Sequence, residues 1–460
     1  MHYNAIEDFI RKSPHTAIYF EDKVISYDEL YNNVNRYANK LKETIKPNDE
    51  IMIILDDCPE YFYLFWGAIK AGIRPMLLST MLRKEDEKNI IIKHNPKSVF
   101  TNHNIEHFDK SATDDTDFEP YGAERNDVCF YLFSSGTTGY IKRIPHKHKD
   151  LAPTAINYAK KTLYMNAYDV TYSSAKLFFA YGLGNSMTFP LFVGASTVLI
   201  KEPSTAKSTL DAIEKYKPTI YFGVPTLYAH QLSAIKNRKR DLTSLRMCVS
   251  AGESLPAPIY NKWQDTVGVT IFDGIGTTEA LHIFISNRHE YSEAGCSGRI
   301  VPGYKAQIVD NNGEVVPDGE VGYLQIQGDS LAEDGWFLTG DMFVKDKAKY
   351  YYKGRSNDMI KIGGVWVSPI DIESKIMEHN NVLECAVVTA LDHNELTKIK
   401  AFVVTKVDID STKNEVKKLC IDELPVNHYP HYVDIVNELP KTPTGKIQRY
   451  KLRQTSLQLQ

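Results

Sequence analysis

The 460-residue chain is 43% hydrophobic and 24% charged, and its 54 basic against 58 acidic side chains leave a net charge of −4. That balance excludes a disordered or collagen-like chain and offers no basic excess for nucleic acid or an anionic membrane. At roughly 150 residues per domain, the length suits about two to four domains around a large core.

The opening residues, MHYNAIEDFI, lack the basic and apolar regions of a secretory signal. Six cysteines, at 58, 129, 248, 296, 385 and 420, are scattered, and none forms a Cys-x-x-Cys pair. This excludes a zinc ribbon or thioredoxin-type motif and points to a reducing compartment, so a cytoplasmic, soluble protein is expected. Between Glu50 and Asp56 an apolar run reads as a buried strand. The most apolar stretch, Tyr61 to Leu78, is interrupted by Lys70, Arg74 and Pro75. It reads as a buried helix entering a strand, so no stable membrane insertion is expected. The acidic run at 114–119 reads as a solvated loop.

Further along, residues 197–200, 219–224 and 246–252 read as strands, with a helix closing at Tyr216 and stopped by Pro218. Strand, helix, strand at this spacing argues for βαβ units and a parallel sheet. After about residue 295 the texture changes to short β-rich runs separated by turns, one at Asp310-Asn311-Asn312-Gly313. That turn begins like a calcium loop but lacks the later ligands and terminal Glu. From near Arg355 a third texture, helix and strand in a unit of about a hundred residues, marks a separate domain. The expected fold is α/β: a large N-terminal domain (1–356) of βαβ-built sheets plus a small β-barrel-like subdomain, then a small α+β domain (357–460).

Five segments carry chemistry. In the first, strand residues Tyr131 to Phe133 run into Ser134, Ser135, Gly136, Thr137, Thr138, Gly139 and Lys142. Glycines let backbone N–H groups converge on an anion, hydroxyls add donors, and the lysine supplies charge, which is phosphate chemistry. The spacing is not that of a Walker A loop, and Arg143 follows the lysine. The second segment runs from Phe272 to Glu279. Gly274 and Gly276 begin a dinucleotide fingerprint, but Glu279 stands where the third glycine belongs. A glycine-rich turn ending in Thr278-Glu279 suits a nucleotide with a metal: glycine backbone against a base, hydroxyl to phosphate, carboxylate to Mg²⁺. The third ends Thr339-Gly340-Asp341, the fourth runs from Lys353 through Arg355 to Gly363-Gly364, and the fifth places Lys446 on a Pro- and Gly-flanked loop. Taken singly, these read as a turn or helix cap, a hairpin and a surface lysine.

Together and in this order, the five resemble the adenylate-forming superfamily of acyl-CoA synthetases, peptide-synthetase adenylation domains and firefly luciferase. The resemblance spans essentially the whole chain and extends to Ile25–Leu30, Gly67–Gly72 and Ser250–Pro256. It implies a two-step reaction in which a carboxylate attacks the α-phosphate of ATP and a thiol then takes the acyl group. The loop 134–142 and Mg²⁺ would hold leaving-group charge, with Thr278 on the α-phosphate and Glu279 on the metal. Gly252, Glu253, Asp273 and Gly274 would line the adenine site, and Asp341 and Arg355 would hold the ribose. Lys446 would bridge the carboxylate and the α-phosphate, on a domain that swings about a hinge at Asn357. The swing would bring Gly363-Gly364 to the coenzyme A tunnel.

Residues 176–185, 281–284 and 365–369 are most similar to benzoate-CoA ligases and their relatives. That likeness implies an acyl pocket of Ala180, Tyr181, Gly276, His282 and Ile283, although His282 also reads as a satisfied core histidine. Relatives acting on short or branched aliphatic acids leave the acyl group open. Three departures stand out: Ile141-Lys142-Arg143 where Pro-Lys-Gly is usual, Asn357 at a hinge that is often Asp or Lys, and a short N-terminal portion. The expected reading is an AMP-forming acyl-CoA synthetase using ATP, Mg²⁺ and coenzyme A on a small carboxylic acid, with a homodimer left open. A ligase that loads a separate carrier protein and a non-catalytic nucleotide-binding remnant remain the alternatives.

Overall fold

The computed structural model describes residues 2–112, 115–135, 141–362, 365–392, 397–406, 410–425, 428–441 and 447–457. It is α/β, as expected. A nine-stranded sheet is parallel through its centre, where Ile271–Gly276, Met247–Ser250, Ile220–Gly223, Val170–Ser173 and Ser196–Leu199 lie side by side. A five-stranded sheet runs Ser98–Thr101, Glu50–Ile54, Arg74–Leu77, Val128–Ser135, Ile141–Lys147, the last pair antiparallel.

Both sheets are covered on two faces, which is why their strands read as continuous apolar runs. Ile51 and Ile53 point into the main core, and Met52 and Ile54 into a smaller one on the opposite face. The main core takes residues from both sheets and from helices Tyr27–Lys42 and Pro59–Lys70. Helix Tyr27–Lys42 starts at a capping box, with Ser26 and Glu29 each bonded to the other's backbone N–H. Pro59 opens the next helix, where its missing N–H costs nothing, and nearly every side chain of that helix is buried. No helix among the described residues is long and apolar enough to cross a membrane.

The region after residue 295 forms a four-stranded antiparallel sheet, Tyr304–Val309, Val321–Gly328, Phe337–Asp346 and Lys349–Arg355, rather than a closed barrel. Asp310 caps its first turn by accepting from the backbone N–H groups of Asn312 and Glu314. Beyond it, Val382–Leu391, Thr397–Thr405 and Tyr432–Ile435 form a sheet with its own core, packed by helices Pro369–Ile376 and Asp410–Glu423. Residues 115–119 form a mostly exposed loop without helix or strand.

Candidate active site

The carboxyl ends of the parallel strands in the nine-stranded sheet converge on one region, where open α/β sheets present their ligand sites. Ser250 and Asp273 are register partners on adjacent strands, so Gly252 and Glu253 come beside Asp273 and Gly274. Glu253 accepts a hydrogen bond from the Thr226 hydroxyl at 3.0 Å. Burial pushes the Asp273 carboxyl well above the usual carboxylate range, despite the backbone N–H groups of Gly274 and Leu255. Its Oδ1 is buried with no hydrogen-bond partner among the described residues. Such a group costs about 1–3 kcal/mol unpaired, and a donor brought by a ligand would relieve that cost. The exocyclic amine of a purine has that chemistry.

From Asp273 the same strand runs to Gly276 and passes into a single 3-10 turn, Thr278–Ala280. The Thr277 hydroxyl bonds the Glu279 carboxylate. No Lys or Arg among the described residues forms an ion pair with Glu279, and no three-residue metal cage exists there. The turn is held from outside: Ala332 donates its N–H to the Glu279 carbonyl at 2.9 Å, and the Ser330 hydroxyl bonds the Ala280 carbonyl at 2.9 Å. Leu281 completes it at φ 64°, a left-handed conformation that is costly for leucine.

That backward step aims His282 inward and pairs Ile283 opposite Gly276 on the next strand. His282 is 3% exposed, with Nε2 3.0 Å from Asn185 Oδ1. Phe189, Tyr158 and Tyr181 surround its ring at centroid distances of 4.4, 5.1 and 5.6 Å. Burial lowers its pKa to about 3, so the ring is neutral near pH 7. Tyr158 and Asn185 both lie in π-helical turns, Ala155–Lys160 and Gly184–Thr188. Each such turn inserts a residue and re-aims its side chains, as is frequent at functional sites. Tyr181 follows Ala180 at a helix start, and its hydroxyl reaches the carbonyls of Gly223 and Val249 at 3.2 and 3.3 Å. A Cβ on Gly276 would meet the His282 carbonyl oxygen at 2.6 Å, so only glycine fits there. Phe284 points away, into the core beside the four-stranded sheet.

Asp341 and Arg355 are register partners on neighbouring strands, joined at 3.0 Å. Gly340, at φ 76°, lies so close to the guanidinium that a Cβ would come within 3.1 Å of it. Asn357 occupies the turn that follows, and it is not among the described residues with positive φ. Lys142 is exposed on the strand paired with Ser134. Arg143, on the opposite face, donates to Glu50 at 2.8 Å and stacks over Tyr131 at 4.2 Å. It ties strand Ile141–Lys147 to Glu50 and Tyr131 on the neighbouring strands. Gly136, Thr137, Thr138, Gly139, Gly363, Gly364 and Lys446 lie outside the described residues, as does the Ser135 side chain.

The structure therefore gathers two sets: Gly252, Glu253, Asp273, Gly274, Thr278 and Glu279 along the ends of two adjacent strands and the turn that follows, and Ala180, Tyr181, Gly276, His282 and Ile283 around the His282 ring cluster. Thr226, Thr277, Tyr158 and Asn185 were not singled out from sequence. Thr226, Tyr158 and Asn185 act through long-range placement, whereas Thr277 bonds Glu279 two residues on, within the second segment; Asn185 stands in the segment similar to benzoate-CoA ligases.

A family model described as AMP-binding enzyme matches residues 6–334, and one described as AMP-binding enzyme C-terminal domain matches residues 371–446. A benzoate–CoA ligase of Thauera aromatica is 37% identical, with 98% of this chain and 96% of that protein covered. The structure of an anthranilate CoA ligase with anthranoyl-AMP superposes with a TM-score of 0.94 at 32% identity, over 99% of this chain and 98% of that one. A benzoate CoA ligase of Burkholderia xenovorans superposes at 0.89 with 34% identity, over 98% and 100%. With a family model spanning most of its length and relatives matched nearly end to end, this chain belongs to the AMP-binding enzyme family.

Proposed function

We propose that the chain is an ATP-dependent, AMP-forming acid–CoA ligase for a small carboxylic acid, either benzoate-like or a short or branched aliphatic one. The observation that carries this reading is the aromatic cluster of Tyr158, Tyr181, Phe189 and His282 packed beside Gly276, set in a chain 37% identical to a benzoate–CoA ligase over nearly its whole length. In the first step a carboxylate oxygen attacks the α-phosphorus, the bond to the β-phosphate oxygen breaks, and pyrophosphate leaves. In the second, the coenzyme A thiol attacks the acyl carbon and AMP departs with the former carboxylate oxygen.

Each side chain has a part in this. Asp273 takes the purine amine, while Asp341 and Arg355 take the ribose hydroxyls. Thr278 donates to the α-phosphate, and Ser134 through Lys142 hold the charge building on pyrophosphate. Lys446 spans the carboxylate and the α-phosphate during attack, and Gly363-Gly364 line the pantetheine path after the domain (357–460) turns at Asn357. Glu279 would hold Mg²⁺, a hard cation that takes oxygen ligands. When bound, that ion neutralises phosphate charge. His282, being neutral, shapes the pocket without an ion pair to the substrate carboxylate. A cation there would stabilise the ground state and blunt the nucleophile.

ATP–pyrophosphate exchange across a panel of acids tests the reading. Several acids of about four to nine carbons should support exchange, because one methylene is worth only about 1–3 kcal/mol of discrimination. Acetate should be weak and palmitate inactive. A preference for palmitate over every small acid would overturn the substrate class.

A further inference from the structure

The seam between the C-terminal sheet and the rest of the molecule carries a largely buried carboxylate that serves both sides. Glu384 sits on strand Val382–Leu391, and its side chain is only 10% exposed. Its Oε1 lies 2.8 Å from His230 Nε2, on helix Pro225–Asn237 of the N-terminal part. Lys441 Nζ lies 2.8 Å from the same oxygen and 2.7 Å from Oε2. Burial alone would raise the Glu384 pKa, but the hydrogen bonds from His230 and Lys441 bring it below the usual carboxylate range.

The contacts around this group are finely balanced. Met377 packs against the core that contains Leu227 and Leu232 of that helix, and also against the C-terminal core. At the same seam Lys406 faces Lys262 and Lys236, and burial together with these like charges lowers its pKa. Attraction at Glu384 is joined by Lys353–Asp371, 2.9 Å apart, and by the Ser368 hydroxyl on the Lys353 carbonyl at 2.8 Å, while a neighbouring part of the seam repels. A largely buried hydrogen-bonded charge is costly to leave unpaired, so undocking at Glu384 carries a penalty that the exposed Lys353–Asp371 pair does not.

Lys441 stands five positions before Lys446 and pairs with Ile447 in an isolated antiparallel bridge, reinforced by Gln448 N–H to the Pro440 carbonyl at 2.7 Å. Just beyond, Arg449 makes two 2.7 Å bonds to Glu373 and lies close enough to Tyr352, beside Asp341 and Arg355, to affect its titration. We infer that Glu384 is a positioning residue for adenylation: through His230 and Lys441 it fixes the root of the 441–447 bridge against helix Pro225–Asn237. The inference rests on the ligase reading above, because it assigns Lys446 to the first half-reaction.

The test compares Glu384→Gln and His230→Ala in the full chain. His230 is 40% exposed, so its variant should fold whatever becomes of the other. In each, kcat for benzoate-dependent ATP–pyrophosphate exchange should fall about tenfold, with KM for ATP and acid within about twofold, since the substrate sites are untouched. Transfer from supplied benzoyl-adenylate to coenzyme A should be unchanged or faster. The double variant should lose little more than either single one, because both break the same contact. Equal losses in both half-reactions, or additive losses, would overturn the inference.

A distance measurement keeps this separate from the ligase reading. Spin labels on Arg238→Cys and Lys418→Cys, with Cys58→Ser removing the half-buried native thiol, report across the seam. Wild-type contacts should give a narrow distribution, and Glu384→Gln a longer or broader one. An unchanged distribution would reject the role of Glu384 even in an enzyme inactive on every aromatic acid.

Discussion

Glu279 and His282 are three positions apart, yet their surroundings give them opposite chemistry. Glu279 is partly buried with a hydroxyl partner and no cation among the described residues, so its charge is available to a metal. Glu279→Gln should keep the fold and raise the Mg²⁺ needed for pyrophosphate exchange by about tenfold. Wild-type behaviour at limiting Mg²⁺ would remove the metal assignment. His282, by contrast, is sealed by aromatic rings and held by Asn185. His282→Ala would open space at the end of the pocket, so activity should shift toward longer acids while benzoate KM rises several-fold. An unaltered chain-length profile would mean that His282 does not bound the acyl group. In the sequence, His282 reads first as a pocket residue and second as a satisfied core histidine. The structure makes these readings compatible, because burial on one side is what fixes the ring for the other.

At the scale of elements, the strands were legible because their signals are local. Apolar runs bounded by Pro or Gly gave strands at Glu50–Ile54, Ile220–Gly223 and Met247–Ser250. The π-helical turns at 155–160 and 184–188 were not legible, since no residue type marks an inserted position and tertiary packing selects it. Arg143 was ambiguous for a related reason: which face it takes depends on the register with Phe133. Buried titratable groups are likewise a property of packing. His146 and His282 are held at about 3 and His148 at about 4, all by burial, while the unfolded chain would protonate each near its ordinary value of 6.5. Stability from these groups is full above pH 6.5 and declines as pH falls toward 4. Asp57 and Asp150, raised by burial to about 6 and about 7, act in the opposite sense: their contribution is full below pH 3.8 and fades as pH rises through those values. His282→Asn removes one term only. The urea-unfolding gap between wild type and variant should therefore narrow as pH drops from 6.5 to 4, and a constant gap would show that His282 is not buried neutral.

For the whole molecule, the order of βαβ units, an antiparallel sheet and a final α+β unit could be read from changes in texture along the chain. How the final unit sits could not, because Glu384, His230 and Lys441 are unremarkable charged residues until long-range folding joins them. Its proposed motion makes a prediction at the same scale. Lys446→Ala should cut adenylation by about a hundredfold or more while nearly sparing transfer from supplied benzoyl-adenylate to coenzyme A. Equal loss in both steps would count against domain alternation in this chain.

The central claim is that the acid is activated by bonding its own oxygen to the α-phosphorus. Benzoate labelled with oxygen-18 in the carboxylate, turned over with ATP, Mg²⁺ and coenzyme A, tests this by mass spectrometry of the nucleotide. The account predicts one labelled oxygen in AMP and none in pyrophosphate. Label in inorganic phosphate with ADP as the nucleotide product, or benzoyl-CoA formed with unlabelled AMP, would contradict it.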